Sequence, residues 1–344
     1  MDFTFSPESD DAAELAASIL RDNTGTERLK AVEAGGDRFD RELWATLSSA
    51  TGGAFDWADL GLIELCRILV EVGRTVAPLP LAVHGPAVFL LNELDQDVPA
   101  GLITAAVSEE RASLPAAPTT TSDGSTVTGV KTLVRAGMTA DAFLVTASTP
   151  SDVRVFLVAA DAAGVERQAQ HTSDGDVTAV VTFSNASAMP VGDSTTARRL
   201  GELLTVAAAA EQLGVTEGAL RLTADYAKTR EQFGRPIGTF QAVGQRLADG
   251  FIDVLCQRLA LWQAVWRLGE GLDASTEVAV AKLWAADAGH RLAHTTVHVH
   301  GGVGVDTDHP VHRYFLAAKQ IEFAAGSATG QLLAIGRELA DTPA

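Results

Sequence analysis

Beyond Asp193 the apolar residues recur every three or four positions, and they hold that spacing to the C-terminus. LTVAAAAEQLGVTEGALRLTADYAKTR, FQAVGQRLADGFIDVLCQRLALWQAVWRLGEG and TEVAVAKLWAADAGHRLAHTTVHV are each long enough for a helix of many turns. Long amphipathic stripes must be buried against one another, so the last third is expected to form a bundle. The alanine and glycine of AAAAEQLG and AKLWAADAG permit close helix approach or a subunit contact.

The texture upstream is different. From Ile103, the segments ITAAVSEE, STVTGVKTLVRA, DAFLVTAST, VRVFLVAA and DVTAVVTFSN are short, rich in Val and Thr, and separated by Asp-Gly, Ser-Asp and Ala-Gly punctuation. That pattern predicts a compact antiparallel β unit. The first hundred or so residues are helical again. SPESDDAAELAASILRD opens with a capping residue Ser6, a first-turn Pro7 and an early acid Glu8. DRFDRELWATLSSA and WADLGLIELCRILVEVGRTVAP repeat the period, the second stopping at Pro78 and Pro80. The reading is an α+β chain with three domains: helical over residues 1–102, antiparallel β over 103–194, and a helical bundle over 195–344.

With 344 residues, 47% of them hydrophobic, the chain can bury a substantial core in two or three compact units. Its formal charge of −18 argues against nucleic acid or an anionic membrane surface as partner. No apolar run reaches about eighteen residues and the start, MDFTFSPESDDAAEL, is acidic, so neither a signal peptide nor a spanning helix is expected and the default location is cytoplasmic. Cys66 and Cys256 lie in separate apolar segments and are expected as buried thiols rather than a disulfide.

Between two of the late helices stands TREQFGRPIGTFQ, residues 229–241. A solvated connection would account for Gly234, Pro236 and Gly238 as turn residues. It would not account for the rest. Arg230 offers a forked donor for phosphate oxygens, Gln232 and Gln241 are neutral donors, and Phe233 is a flat surface for a ring. Downstream, His290, His294 and His298 fall on one helical face, but no carboxylate or thiolate completes a metal set, and no metal is expected.

YAKTREQFGRPIGTFQAVGQRLAD resembles the signature of acyl-CoA dehydrogenases, and HVHGGVGVDTDHPVHRYF, from His298 to Phe315, resembles that family's second signature. The helical, β, helical order is similar as well, so the resemblance spans nearly the whole chain and implies the fold of that family, ending in a four-helix bundle. It also implies FAD as cofactor, in a site shared between two subunits. One subunit's β domain and C-terminal loop hold the isoalloxazine. Its neighbour reaches the pyrophosphate and adenine with Arg230, Gln232, Phe233 and Gln241, and with His298, Gly301, Gly302 and Gly304. Glycines suit such a loop because backbone must approach the nucleotide without a Cβ in the way.

The family removes the α-proton of a thioester with a Glu while the flavin takes hydride from the β carbon. Where most members carry Tyr-Glu-Gly-Thr, this chain has Ala324-Ala325-Gly326-Ser327, so alanine stands at the place of the base. A minority carry the Glu on the helix before the first signature, a position that falls at Leu204; Glu202 is two residues away, about 200° around a helix. The Thr-Glu-Pro-x-x-Gly-Ser stretch has no counterpart between Ile103 and Val130, and Thr132-Leu133-Val134 replaces the usual Trp-Ile-Thr/Ser flavin contact. Elements serving the chain's own flavin are thus degraded, while those serving a neighbour's are intact. The expectation is a non-catalytic subunit similar to the short subunits of actinobacterial steroid side-chain dehydrogenases, which form heterotetramers with two copies of each of two chains. The catalytic partner subunit would supply the Glu, much of the FAD cradle and most contacts to an acyl-CoA or steroid-CoA thioester. Two alternatives are a self-sufficient homo-oligomeric dehydrogenase using Glu202 or another base, and a non-enzymatic acyl-CoA-binding or scaffold module.

Overall fold

The structure, a computed structural model, describes residues 4–51 and 61–341. Five helices come first: α1 Pro7–Asn23, α2 Thr26–Ala34, α3 Arg41–Ala50, α4 Leu62–Arg74 and α5 Leu81–Glu93. α1 starts where expected, with the Ser9 amide donating to Ser6 Oγ at 3.1 Å. α3 is capped in the same way by the buried Asp40, which accepts from the Leu43 amide at 2.9 Å. The helix expected from Trp57 has its first residues outside the described range, and from Leu62 it runs as α4. Eight strands follow: β1 Ile103–Ala106, β2 Thr121–Ser122, β3 Thr126–Val134, β4 Ala142–Ser148, β5 Val153–Ala159, β6 Val165–His171, β7 Val177–Ser187 and β8 Met189–Gly192. The chain then continues as α6 Ser194–Thr229, the short hairpin β9 Glu231–Gln232 and β10 Arg235–Pro236, α7 Gln241–Gly269, α8 Ser275–His300, α9 Val311–Phe323 and α10 Ala328–Asp341.

These elements pack as two compact units. One gathers the residues up to Lys30, Leu62–Ala77 and those from Ala208 on; the other gathers Ala31–Gly61 and Pro78–Ala207. In the second unit the strands form one sheet in the order β6-β7-β3-β2-β4-β5-β8, with β1 added alongside β4. The expected antiparallel unit is present, β2-β3, β3-β7, β4-β5, β5-β8 and β6-β7 all pairing antiparallel, with two parallel pairings added. β1 runs parallel to β4 from Ile103↔Ala142 to Ala106↔Val145, and β2 meets β4 in parallel at Thr121↔Ser148. The 35 residues between β1 and β4 carry the chain out through β2 and β3 and back, which is what a parallel pair requires and a hairpin cannot provide. β4 is buried at all but its last residue and sits at the centre of the sheet. Phe143 and Phe183 meet edge to face at 6.1 Å in the core, with Val145, Phe156, Val158 and Val181 around them.

A buried ion pair crosses that core. Lys131 is fully buried, and its Nζ donates to Glu109 Oε1 at 2.8 Å and to Thr146 Oγ1 at 3.3 Å. Glu109 also accepts from the amides of Thr119 at 2.7 Å and Thr120 at 3.0 Å. Burial pushes the Glu109 carboxyl up, but Lys131 and these amides outweigh it and hold the group well below the usual carboxylate range. The pair pins the connection after β1 onto β3.

In the first unit the expected bundle is present. α4 and α6 touch backbone to backbone: a Cβ at Gly214 would lie 1.9 Å from the Val70 carbonyl oxygen, and one at Gly73 would lie 2.0 Å from that of Glu211. α6 also packs on α8, where a Cβ at Gly289 would strike the Gln212 side chain at 1.7 Å. Thr223 donates across to Thr296 Oγ1 at 3.2 Å. Cys66 is buried and Cys256 half-buried, and both are free thiols. No helix among the described residues is long and apolar enough to cross a membrane.

Candidate functional site

The stretch after α6 folds as a two-residue hairpin. The Arg230 amide donates to the Tyr226 carbonyl at 2.8 Å, and Gln232 then pairs with Arg235 across β9 and β10. The two connecting residues, Phe233 at φ +54° and Gly234 at φ +75°, are both left-handed, as a type I′ turn demands. That turn explains the glycine. It does not explain an aromatic in a conformation that costs an L-residue about 1–2 kcal/mol, with the ring 92% exposed. Phe240 stands edge-on to Phe233 at 6.1 Å, and the Arg235 guanidinium lies over the Phe240 ring at 4.3 Å. Gln232 Nε2 donates to the Glu231 carbonyl at 2.7 Å. Gln241 is exposed and opens α7. The Arg230 guanidinium, also exposed, makes no ion pair or hydrogen bond among the described residues.

The glycine loop follows α8 directly. Gly301 has φ +62°, and a Cβ at Gly301 or Gly302 would meet nothing within 4 Å, so both present bare backbone to open space. Gly304 has a different reason to be glycine: a Cβ there would lie 2.8 Å from the Val297 carbonyl oxygen. His298 is exposed on the last turns of α8. His300 is buried and stacks on Tyr226, with ring centroids 4.3 Å apart and planes 22° from parallel. Its Nδ1 lies 2.8 Å from the Thr296 carbonyl, which fixes the proton on Nδ1 and leaves Nε2 as a bare acceptor; no partner for Nε2 exists among the described residues. Burial pushes the His300 pKa down and keeps the ring neutral.

Tyr226 is four residues before Arg230, and His300 immediately precedes Gly301, so this stack sets the hairpin and the glycine loop side by side. The two motifs stood out separately in the sequence, but the tie between them did not. An aromatic one helical turn before Arg230 was the available signal. An unpaired guanidinium suits a phosphate and an exposed ring held on a strained turn suits a flat ring system, both of which FAD would offer, and His300 Nε2 is open to a hydroxyl or amino donor.

The loop expected to occupy the position of the base is a tight turn. Ala325 at φ +55° and Gly326 at φ +105° turn the chain between α9 and α10. The Gly326 amide donates to the Phe323 carbonyl at 3.1 Å, and Gln331 Nε2 donates to the Ala325 carbonyl at 3.1 Å. Lys282, fully buried, caps α9 by donating to the carbonyls of Ile321 at 2.9 Å and Glu322 at 3.1 Å. The neighbouring acid, Glu322, is engaged by Lys319 at 2.5 Å and by His290 at 3.2 Å. Leu204 is buried on α6, while Glu202 is half-buried and lies 3.9 Å from Arg198. On β3, Leu133 is 56% exposed at φ +51°, its amide donating to Gln170 Oε1 at 2.7 Å, and Val134 is buried.

A family model described as the acyl-CoA dehydrogenase C-terminal domain matches residues 204–340. Acyl-CoA dehydrogenase FadE27 of Mycobacterium tuberculosis is 46% identical, with 100% of each chain covered. Among solved structures, a chain of the ChsE4-ChsE5 complex from Mycobacterium tuberculosis aligns with a TM-score of 0.92 at 45% identity, over 100% of both chains. A chain of the Tcur3481-Tcur3483 steroid ACAD variant aligns with a TM-score of 0.90 at 36% identity, over 97% of this chain and 98% of that one.

Proposed function

This chain belongs to the acyl-CoA dehydrogenase family, and from that premise we propose that it is the non-catalytic subunit of a heteromeric FAD-dependent enzyme. The observation that carries the reading is an asymmetry. The hairpin and glycine loop face outward, whereas a hydrogen-bonded turn carries alanine, Ala325, where the resemblance puts the base. When bound, FAD supplies the acceptor for hydride from the β carbon of an acyl-CoA thioester. In this chain Arg230 holds a phosphate of a flavin carried mainly by the partner. Phe233 gives a ring surface, Gln232 and Gln241 donate to polar edges, and the backbone at Gly301 and Gly302 closes on the nucleotide beside His298. Gly304 keeps that loop seated on α8.

Ala325 offers no lone pair to an α-proton, and Leu204 offers none either. Deprotonation therefore belongs to a carboxylate of the partner, which must sit within hydrogen-bond reach of the substrate carbon's proton. Both solved relatives carry paired component names, and one is named as a steroid ACAD. Those names support a heteromer here and a steroid-CoA thioester as its substrate.

Co-expression with a candidate catalytic acyl-CoA dehydrogenase chain that carries the Glu, followed by flavin counting, tests the reading. The complex is expected to hold half as many flavins as polypeptides, and this chain purified alone is expected to be colourless or poorly soluble. A yellow homo-oligomer with one flavin per chain that is bleached by acyl-CoA would show instead that it is self-sufficient.

A further inference from the structure

One turn of α6 carries both ends of the hairpin. The Arg230 amide donates to the Tyr226 carbonyl at 2.8 Å, and on the return a Cβ at Gly238 would lie 3.0 Å from the Ala227 carbonyl oxygen. The glycine loop is seated on α8 in the same fashion, through Gly304 and the Val297 carbonyl. From one arm to the other the contact is a cluster of three rings. Besides the stack of Tyr226 on His300, the His309 ring stands 5.3 Å from His300 and 6.4 Å from Tyr226, centroid to centroid. His309 belongs to the segment leaving the glycine loop: its amide donates to the Asp306 carbonyl at 3.1 Å, and that of Asp306 to the Val303 carbonyl at 3.2 Å. A shift of any one ring therefore moves an arm.

The cluster is built for a neutral His300. That ring is 4% exposed. Its Nδ1 already donates to the Thr296 carbonyl and its Nε2 meets no partner among the described residues, so a second proton would make a buried donor without an acceptor. The Tyr226 face would favour a cation, but burial opposes one and so does His309. His309 itself accepts the Val311 amide on Nδ1 at 3.3 Å. Asp306 favours a charge on His309, and His312, whose Nδ1 lies 2.6 Å from the His309 carbonyl, opposes it.

We propose that His300 is a positioning residue: its neutral ring, clasped by Tyr226 and His309, couples the hairpin to the glycine loop, and its protonation frees both together. What the two arms hold rests on the flavin reading; that they move as one does not. A freed His300 titrates near its ordinary value of 6.5, above the value it has when clasped. The open state thus binds more protons than the clasped one, and the clasp weakens as pH falls through about 6.5.

Hydrogen exchange on the co-purified complex, followed in peptides covering residues 226–241 and 298–306, reads the clasp directly. From about pH 7.5 to about pH 5.5, after correction for the intrinsic pH dependence of exchange, protection should fall in both segments together, by up to about tenfold. His300→Phe keeps a flat ring and has nothing to protonate, so its protection should be the same at both pH values. His300→Ala should lose protection in both segments, about tenfold at about pH 7.5, and should lower FAD retention by the complex, with phenylalanine at the same place restoring it. An unchanged pH response in His300→Phe, or a loss of protection confined to one segment, would overturn the proposal. If His300→Ala fails to fold, the comparison of wild type with His300→Phe decides alone. Coupled loss of protection with FAD retention untouched would uphold the coupling and refute the flavin reading of the arms.

Discussion

Phe233 and Arg230 are costly choices for a helix connection. A bulky residue at φ +54° gives up about 1–2 kcal/mol against glycine or asparagine, and its ring recovers none of that by burial because it is 92% exposed. An arginine without an acid in a chain of charge −18 is equally unneeded for folding. Both make sense when a ligand supplies the missing contact. Arg230→Ala is expected to weaken FAD retention by the whole complex about ten- to a hundredfold, corresponding to the loss of roughly 1.5–3 kcal/mol. Arg230→Lys keeps the charge but not the fork and should regain only part. A solvated connection predicts a change within about 0.5 kcal/mol and no loss of flavin. Gel filtration of the three complexes after dilution, with flavin absorbance read on each, separates the outcomes; equal retention would reduce the hairpin to a turn. These residue types were legible in the sequence because arginine, phenylalanine and glycine in that order have few structural reasons to occur together. Their mutual placement through Tyr226 and His300 was not legible, because a stacking contact between residues 74 positions apart leaves no local pattern.

Among the elements, α6 is the one the others lean on. The small residues of AAAAEQLG announced a close approach, but nothing in them named the partner. The structure gives it as α4, with Gly73 and Gly214 each seated against the opposite backbone. Two effects compete at Gly214. Alanine is the better helix former by about 1 kcal/mol, yet its Cβ would be 1.9 Å from the Val70 carbonyl oxygen, where no rotamer offers escape. Overpacking of this kind costs about 1–3 kcal/mol or more once helices must separate, so Gly214→Ala is expected to destabilise. Gly336 in α10 is the contrasting case: its Cβ would meet nothing within 4 Å, and Gly336→Ala is expected to gain up to about 1 kcal/mol. Urea midpoints for the two variants should move in opposite directions. Other elements were hidden for reasons of the same physical kind. β6, VERQAQH, pairs along its whole length with β7 but lies exposed, so it has no apolar alternation to betray it. α5 is apolar all round and carries Pro86 inside it, so no stripe marks its face.

At the scale of the whole molecule, the order of helices, strands and helices could be read from periodicity because each change of period runs over many residues. The interleaved grouping could not. Residues up to Lys30 and Leu62–Ala77 join the C-terminal helices, a long-range choice made by packing and unmarked by any linker. Lys282 shows how one buried group can register in the stability of such a molecule. It is held in the core by the carbonyls that end α9, and burial pushes its ammonium down from 10.5 to about 7. Unfolded, the same side chain titrates near its ordinary value. Between these two values the unfolded state binds more protons than the folded one, so this group's contribution to stability rises as pH climbs from about 7 towards 10. Below about 7 the lysine is charged in both states and adds no slope. Lys282→Met removes this proton linkage and the cap together, leaving the carbonyls of Ile321 and Glu322 buried without their donor. At about pH 6 the loss of the cap is opposed by relief from burying an ammonium, so the variant should lie close to the wild type there. By about pH 9 it should be the less stable of the two, each pKa unit of difference being worth about 1.4 kcal/mol. Urea denaturation of the wild-type and variant complexes at those two pH values measures it. Parallel stability profiles would mean that Lys282 stays charged in the folded state and that its two carbonyl partners fully offset the cost of burial.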